Sequence, residues 1–199
     1  FYFIGHPKGE TRHGGVGFAI RSSLVSALQS LPLGISPRLM ALTLTLENGE
    51  VATLISCYAP TLNAPQEEKE HFYEVLSAAI AAVPYKQKLI VLGDFNARVG
   101  HEHKLWPKVI GRHGVGNVNQ NGLMLLEMCS KNRLTITNTM FQQALRHKVT
   151  WMHPRSKHWH MIDYVLTRQR DMADVHQTRS IRGSESWSDH RLVRCKGAF

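Results

Sequence analysis

Lys88-Leu89-Ile90-Val91-Leu92-Gly93-Asp94-Phe95-Asn96 is the stretch on which the reading of the chain turns. Its apolar run, bounded by Lys88 and Gly93, predicts a strand buried on both faces, with the polar pair Asp94 and Asn96 just past its end. In open α/β layers, polar groups leaving the carboxyl end of a central strand converge on the crevice where ligands bind. The same pair also suits an Asx turn that merely caps the backbone. The choice rests on whether side chains of complementary chemistry end nearby.

Upstream, Pro65 and Gln66-Glu67-Glu68 open a helix with Phe72, Leu76, Ala79, Ile80 and Val83 on one face, and Pro84 stops it; acid in the first turn suits the helix dipole. That helix feeds the 88–92 strand in β-α-β order. Before it, the alternating run 39–46 and the run 51–58 flank Asn48-Gly49 and predict a hairpin. Tyr58 ends the second of these strands, where a tyrosine is more often a half-buried packing residue than a catalytic one. Residues 1–4 and 16–21 read as further strands around a glycine-rich turn, His13-Gly14-Gly15-Val16-Gly17.

Downstream, residues 100–116 form a long loop with His101, His103 and His113, without the spacing of a metal site. Asn119-Gln120-Asn121-Gly122 introduces a helix with a Leu/Met face, Asn121 serving as N-cap or reaching a phosphate. Strands follow at 134–139, 150–151, 161–166 and 192–193. Strands bunched at both ends with two helices between them predict a layered α/β protein with a mixed, mostly antiparallel pair of sheets.

At 199 residues the chain fits one domain, 1–199. Lys and Arg number 24 against 15 Asp and Glu, a formal charge of +9 that favours a polyanionic partner beyond serving solubility. Residues 146–199 hold 11 basic against 5 acidic side chains, interleaved with His153, His158, Trp159 and His160. Such mixtures suit phosphates and bases. Cys57, Cys129 and Cys195 show no paired spacing and read as reduced thiols of an intracellular protein. With no membrane-length apolar run and no signal-peptide pattern, a nuclear or cytoplasmic location is expected.

The polar strand endings form a set. Asp94 and Asn96 follow one strand, Asp163 lies within the apolar run 161–166, and Ser188-Asp189-His190 precede the last. A carboxylate between Ile162 and Tyr164 is costly unless paired, and His190 is the obvious partner. Asp163 would then fix the tautomer of His190 and raise its basicity, while Asp94 and Asp189 gather negative charge that a divalent cation neutralises. The plainer alternative makes Asp163 a turn cap and Asp189-His190 an exposed loop. Three segments repeating one arrangement weigh against it.

Gly93-Asp94-Phe95-Asn96, Ile162-Asp163-Tyr164 and Ser188-Asp189-His190, in this order, resemble the endonuclease/exonuclease/phosphatase superfamily. Gly111-x-His113-Gly114-x-Gly116, Asn121-Gly122-Leu123, Thr137-Asn138-Thr139-x-Phe141 and Thr150-Trp151 further resemble the apurinic-type endonuclease domain of RTE-class LINE retrotransposons. The same domain recurs in the craniofacial development protein 2-like proteins. The similarity runs through essentially the whole chain.

The resemblance implies a DNase I-like four-layered α/β sandwich, two mixed sheets flanked by helices, and Mg²⁺-dependent cleavage of a DNA phosphodiester that leaves a 3′-hydroxyl; Mn²⁺ is the alternative metal. It implies that Asp94 orients or deprotonates the attacking water and that Asn96 holds the phosphate. His190, oriented by Asp163, would stabilise the transition state, and Tyr58 would contact the phosphate or leaving oxygen. Asp189 and Asp94 would hold metal. Candidate nucleic-acid contacts are Asn121, Asn138, Trp151, Arg155, Lys157 and Trp187. Phosphodiester cleavage needs an in-line water, a base and positive charge at the equatorial oxygens, which metal and histidine supply.

The superfamily pattern also opens with one strand bearing an Asn and another bearing a metal-binding Glu. Both should precede Phe1, and Glu10 lies in a turn where it is a poor substitute, so an N-terminally truncated fold is expected, with weakened metal affinity and an exposed sheet edge. Three function classes follow. The first is a metal-dependent DNA endonuclease, and the second a phosphatase acting on inositol lipids or sugar phosphates. The third is a catalytically decayed module that binds nucleic acid or protein.

Overall fold

The computed structural model describes residues 1–5, 14–182 and 188–198. Strand β1 (Tyr2–Gly5) pairs antiparallel with β2 (Gly15–Phe18). Next come β3 (Leu33–Ser36), β4 (Leu39–Thr45) and β5 (Val51–Tyr58), an antiparallel meander. Helix α1 (Gln66–Ala82) then returns the chain to β6 (Lys88–Asp94), parallel to β5. Helix α2 (Gln120–Lys131) precedes β7 (Leu134–Ile136), which runs into a single 3-10 turn, Thr137–Thr139, where a longer strand was expected. A short hairpin, β8 (Trp151–Met152) and β9 (Trp159–His160), leads to β10 (Asp163–Arg168), β11 (Val175–Ser180) and β12 (Val193–Gly197).

The central sheet has six strands in the order β3-β4-β5-β6-β10-β7, with β5–β6 its parallel pair. Residues i and i+2 of a strand share a face, and cross-strand partners do too. The pairings Ile55↔Val91 and Tyr164↔Gly93 therefore define the face that meets the helices. There Ile55, Leu89, Val91, Tyr164 and Leu166 pack with Phe72, Leu76 and Ile80 of α1 and Leu125 and Leu126 of α2 into the core. Each such apolar side chain contributes roughly 1.5–3 kcal/mol on leaving water. The α1 residues recur at helical spacing, and Glu67 and Glu68 occupy its first turn. Helix α2 is capped by Asn119, whose side chain accepts the Gly122 N–H; Asn121 is not the N-cap.

The opposite face carries Leu54, Ile90, Leu92 and Val165 in one band, and Tyr58, Asp94 and Asp163 in line with it at the strand ends. The second sheet layer lies on this face as two separate pairs: β2 contacts β4 and β5, and β12 contacts β10. Between the central sheet and the segment entering β12 opens a cleft of about 550 Å³ lined by Leu54, Ile90, Leu92, Val165, Leu192 and Val193, reaching Asp94, Asp163 and His190. The expectation of a strand buried on both faces needs correction here. Leu89 and Val91 are fully buried, but Ile90 and Leu92 are only half-buried because, among the described residues, no continuous layer covers them.

Candidate active site

Strand β6 ends at Asp94 on a backbone that only glycine allows. Gly93 has φ +150°, and a Cβ there would collide with the Cys57 carbonyl across the β5–β6 pair. The chain then turns through Asn96 at φ +46°. The Asn96 N–H donates to Asp94 Oδ1 at 2.8 Å, and Asn96 Nδ2 donates to the Ala59 carbonyl at 2.9 Å. The Asx turn therefore exists, but it orients the carboxylate rather than concealing it.

Pairing in the sheet places Asp163 opposite Asp94 on one side and Tyr58 opposite it on the other. His190, paired with Trp151 in an isolated bridge, brings its Nδ1 to 3.0 and 3.2 Å from the two Asp163 oxygens. Among the described residues, Asp94, Asp163 and His190 each offer an atom to a group spanning less than 4.8 Å. Three chain segments about 27 to 96 residues apart thus meet at one point.

Burial drives the Asp94 carboxyl up to about 7, helped by the negative charge of Asp163 and opposed by the Asn96 N–H and by His190. Burial pulls His190 down. The hydrogen bond and charge of Asp163, with the charges of Asp94 and Asp189, outweigh it and raise His190 above 6.5. The environment therefore gives one group poised to accept a proton near neutrality and another that tends to keep its own, the pattern of acid–base chemistry. Beneath them, burial together with Asp94 and Asp163 pushes the Cys57 thiol well above its usual value, so it stays neutral.

The other expected site residues divide into three groups. Arg155 and Lys157 lie exposed in the tip between β8 and β9, and Tyr58 sits half-buried with the Arg38 guanidinium over its ring at 5.4 Å. Trp151 lines a second cleft of about 450 Å³ with Asn96, Arg98, His153 and His160. Its ring stacks on His160, and its indole N–H donates to Asp189 Oδ2 at 2.7 Å. Trp187 falls outside the described residues.

Two expectations, Asn121 and Asn138, need correction, and Asp189 stands apart from the other acidic candidates. Asn121 is 2% exposed, and its Nδ2 donates to the Pro60 and Asn96 carbonyls, so it ties two site loops together and does not reach nucleic acid. Asn138 is 4% exposed and is committed to β10, donating to the Asp163 carbonyl and accepting the Val165 N–H. Asp189 stands outside the Asp94/Asp163/His190 cluster. Its side chain is 68% exposed, one oxygen is held by Trp151 and the other is 4.0 Å from His190 Nε2. Arg98 at the second cleft went unread in the sequence because nothing local sets it apart; the signal available was its position two residues beyond Asn96. His160, read there only as part of a basic and aromatic mixture, lines the same cleft.

A divalent cation fits this donor set. Two carboxylates face each other across adjacent strands, one driven towards neutrality partly by the other's charge, and oxygen ligands suit a hard cation. Asp94 and Asp163 are the residues that would hold it.

The model of the endonuclease–reverse transcriptase family matches residues 52–194. Craniofacial development protein 2 of Bos taurus is 40% identical over 144 residues, covering 72% of this chain and 24% of its own length. Its Tragulus javanicus counterpart is 38% identical over 144 residues, covering 72% and 25%. The chain thus spans about a quarter of the length of these curated relatives. In three dimensions it is similar to the 3′ phosphatase NExo from Neisseria bound to product DNA hairpin, with a TM-score of 0.58 and 19% identity over 81% of this chain and 65% of that one. The Xenopus laevis APE2 catalytic domain gives a TM-score of 0.54 and 16% identity over 81% and 57%. At such identities the likeness speaks to the fold, which is the DNase I-like α/β architecture. On the extent of the family match and the identity to these relatives, the chain belongs to the endonuclease–reverse transcriptase family, within the endonuclease/exonuclease/phosphatase superfamily.

Proposed function

We propose that residues 1–199 act as a single retrotransposon-derived catalytic domain, a Mg²⁺-dependent endonuclease that nicks DNA and leaves a 3′-hydroxyl. The observation that carries this reading is the meeting of Asp94, Asp163 and His190 at the ends of two paired strands and a loop. The Asp94 oxygen not engaged by Asn96 orients the attacking water or takes its proton. Asn96, anchored to Ala59, presents its remaining amide hydrogen to a phosphate oxygen. His190, fixed through Nδ1 by Asp163, directs Nε2 at the charge that builds on the phosphoryl oxygens. Tyr58, on the other side of Asp94, contacts the phosphate or leaving oxygen. A bound Mg²⁺ supplies Lewis acidity at the phosphate and neutralises the facing carboxylates. The DNA hairpin bound by NExo and the basic excess of residues 146–199 favour a DNA substrate, met in the nucleus or cytoplasm.

Relaxation of supercoiled plasmid with Mg²⁺ and with EDTA tests the reading. Nicking that requires the metal and disappears in Asp94→Ala supports it. Release of inorganic phosphate from a 3′-phosphorylated hairpin without nicking would move the assignment to a phosphatase. Binding without either reaction would indicate a module that has lost catalysis.

Arg155 and Lys157 give a separate prediction, since their exposed position between β8 and β9 suits contact with backbone phosphates. Changing both to alanine should weaken DNA binding and flatten the dependence of log affinity on log salt by about 0.9 per lost phosphate contact, with kcat little altered. An unchanged salt slope would place these charges away from the duplex.

A further inference from the structure

The Asp163–His190 pair joins residues from distant parts of the chain, and neither side chain by itself fixes the other's backbone. Thr150 touches the backbone on both sides. It is 0% exposed, immediately before β8. Its hydroxyl oxygen accepts the N–H of Ile162 at 3.1 Å and of Asp163 at 3.2 Å. Its own N–H donates to the His160 carbonyl at 2.7 Å, and its carbonyl accepts the Arg191 N–H at 2.6 Å. Arg191 is pinned further, its guanidinium donating to the Arg146 carbonyl and lying 3.5 Å over the Trp159 ring. A single buried residue thereby sets both the start of β10, where Asp163 sits, and the peptide that follows His190.

We propose that Thr150 is the positioning residue that sets the Asp163 carboxylate against His190. The proposal rests on the hydrolytic reading of the site, in which Asp163 orients His190. Loss of the Thr150 hydroxyl leaves the buried Ile162 N–H and the part-buried Asp163 N–H without this acceptor. The peptide entering β10 must then rotate towards another oxygen, and Asp163 moves with it. Groups of this kind, one step behind the reacting residues, change activity without touching substrate.

Two substitutions separate the hydroxyl from the shape it fills. Thr150→Val keeps the shape and removes the acceptor, whereas Thr150→Ser keeps the acceptor and removes a methyl group. The first readout needs no activity: the low-field proton NMR signal of the His190 Nδ1–H hydrogen bond to Asp163, assigned by its loss in His190→Gln. The second is plasmid nicking, with kcat and KM for DNA determined separately. Expected are a shifted or lost NMR signal and a kcat lower by ~10- to 100-fold in Thr150→Val, with KM for DNA unchanged. Thr150→Ser should match the parent in both readouts. A folded Thr150→Val protein with the parent signal and kcat overturns the proposal, as does the reverse pattern, with Ser impaired and Val normal. If Thr150→Val does not fold, Thr150→Ser decides: a parent-like signal supports the assignment and a displaced one overturns it. Should the parent chain fail to nick DNA, the functional reading falls while the NMR comparison still tests Thr150.

Discussion

Replacing His190 with alanine should lower the rate of phosphodiester cleavage by at least about a hundredfold while DNA affinity changes by less than about twofold. The size follows from what the side chain faces. Asp163 holds Nδ1 at 3.0 Å, which fixes the ring, and its hydrogen bond and charge raise the affinity of His190 for a proton against the pull of burial. The imidazole is therefore charged more readily than a free one, close to where negative charge would accumulate as water adds to phosphorus. A preorganised cationic donor acts there in a partly dehydrated site, where its effect exceeds that in water. Its influence on ground-state binding should be smaller, because on the proposed reading exposed basic groups elsewhere, Arg155 and Lys157 among them, would meet the phosphate backbone. The loss should therefore fall on kcat rather than KM. His190→Gln keeps polarity and approximate size without a cationic form, and should be nearly as slow. Parent-level turnover in either variant would remove His190 from the chemistry.

The Asp94 and His190 positions were legible in the sequence for a physical reason. A carboxylate that ends a four-residue apolar run, and a histidine beside an acid just before a terminal strand, depart from the period-two pattern in ways visible one residue at a time. Asp163 stood out as a charge inside an apolar run, and its partner could be inferred because burying it alone is costly. The β4–β5 hairpin and helix α1 followed from alternation and helical spacing in the same way.

Asn121 and Asn138 were misread because an asparagine carries the same donors and acceptor whether it faces solvent or a backbone. Their true partners, at Pro60, Asn96, Asp163 and Val165, lie about 25 to 61 residues away in sequence. Thr150 escaped for the same reason. It is a small polar residue in a short strand context, and its hydroxyl is satisfied by N–H groups more than ten residues further on. The bond from the Trp151 indole to Asp189 spans 38 residues and is a contact of this carboxylate that no local pattern signals. Half-burial of Ile90 and Leu92 depended on what lies across the sheet, which no local pattern encodes.

Asp94→Asn should abolish nicking and at the same time make the metal-free protein more stable above neutral pH. In the unfolded chain Asp94 ionises near 3.8, whereas in the folded protein burial and the charge of Asp163 raise it to about 7. Between these values the folded state still holds a proton that the unfolded chain has released. Stability therefore falls as pH rises through this window, and the full loss is present above about pH 7. His190 acts in the same direction, since its raised value gives a contribution that is complete below about 6.5 and disappears as pH rises through the folded value. Comparing parent and variant isolates the Asp94 share. Denaturant unfolding in EDTA should show the parent losing on the order of 2–4 kcal/mol relative to Asp94→Asn between about pH 4 and pH 8. Mg²⁺ should restore most of that difference in the parent and little in the variant, because a cation bound to the folded site favours the ionised carboxylate. Parallel stability curves for the two proteins would show that Asp94 is not held against its preferred charge. Parent-level nicking by Asp94→Asn would exclude it as the group that handles the attacking water. The two outcomes are linked by one cause: a carboxylate kept where burial and a neighbouring charge oppose its ionisation lowers stability, and the same poise near neutrality equips it to take a proton from water.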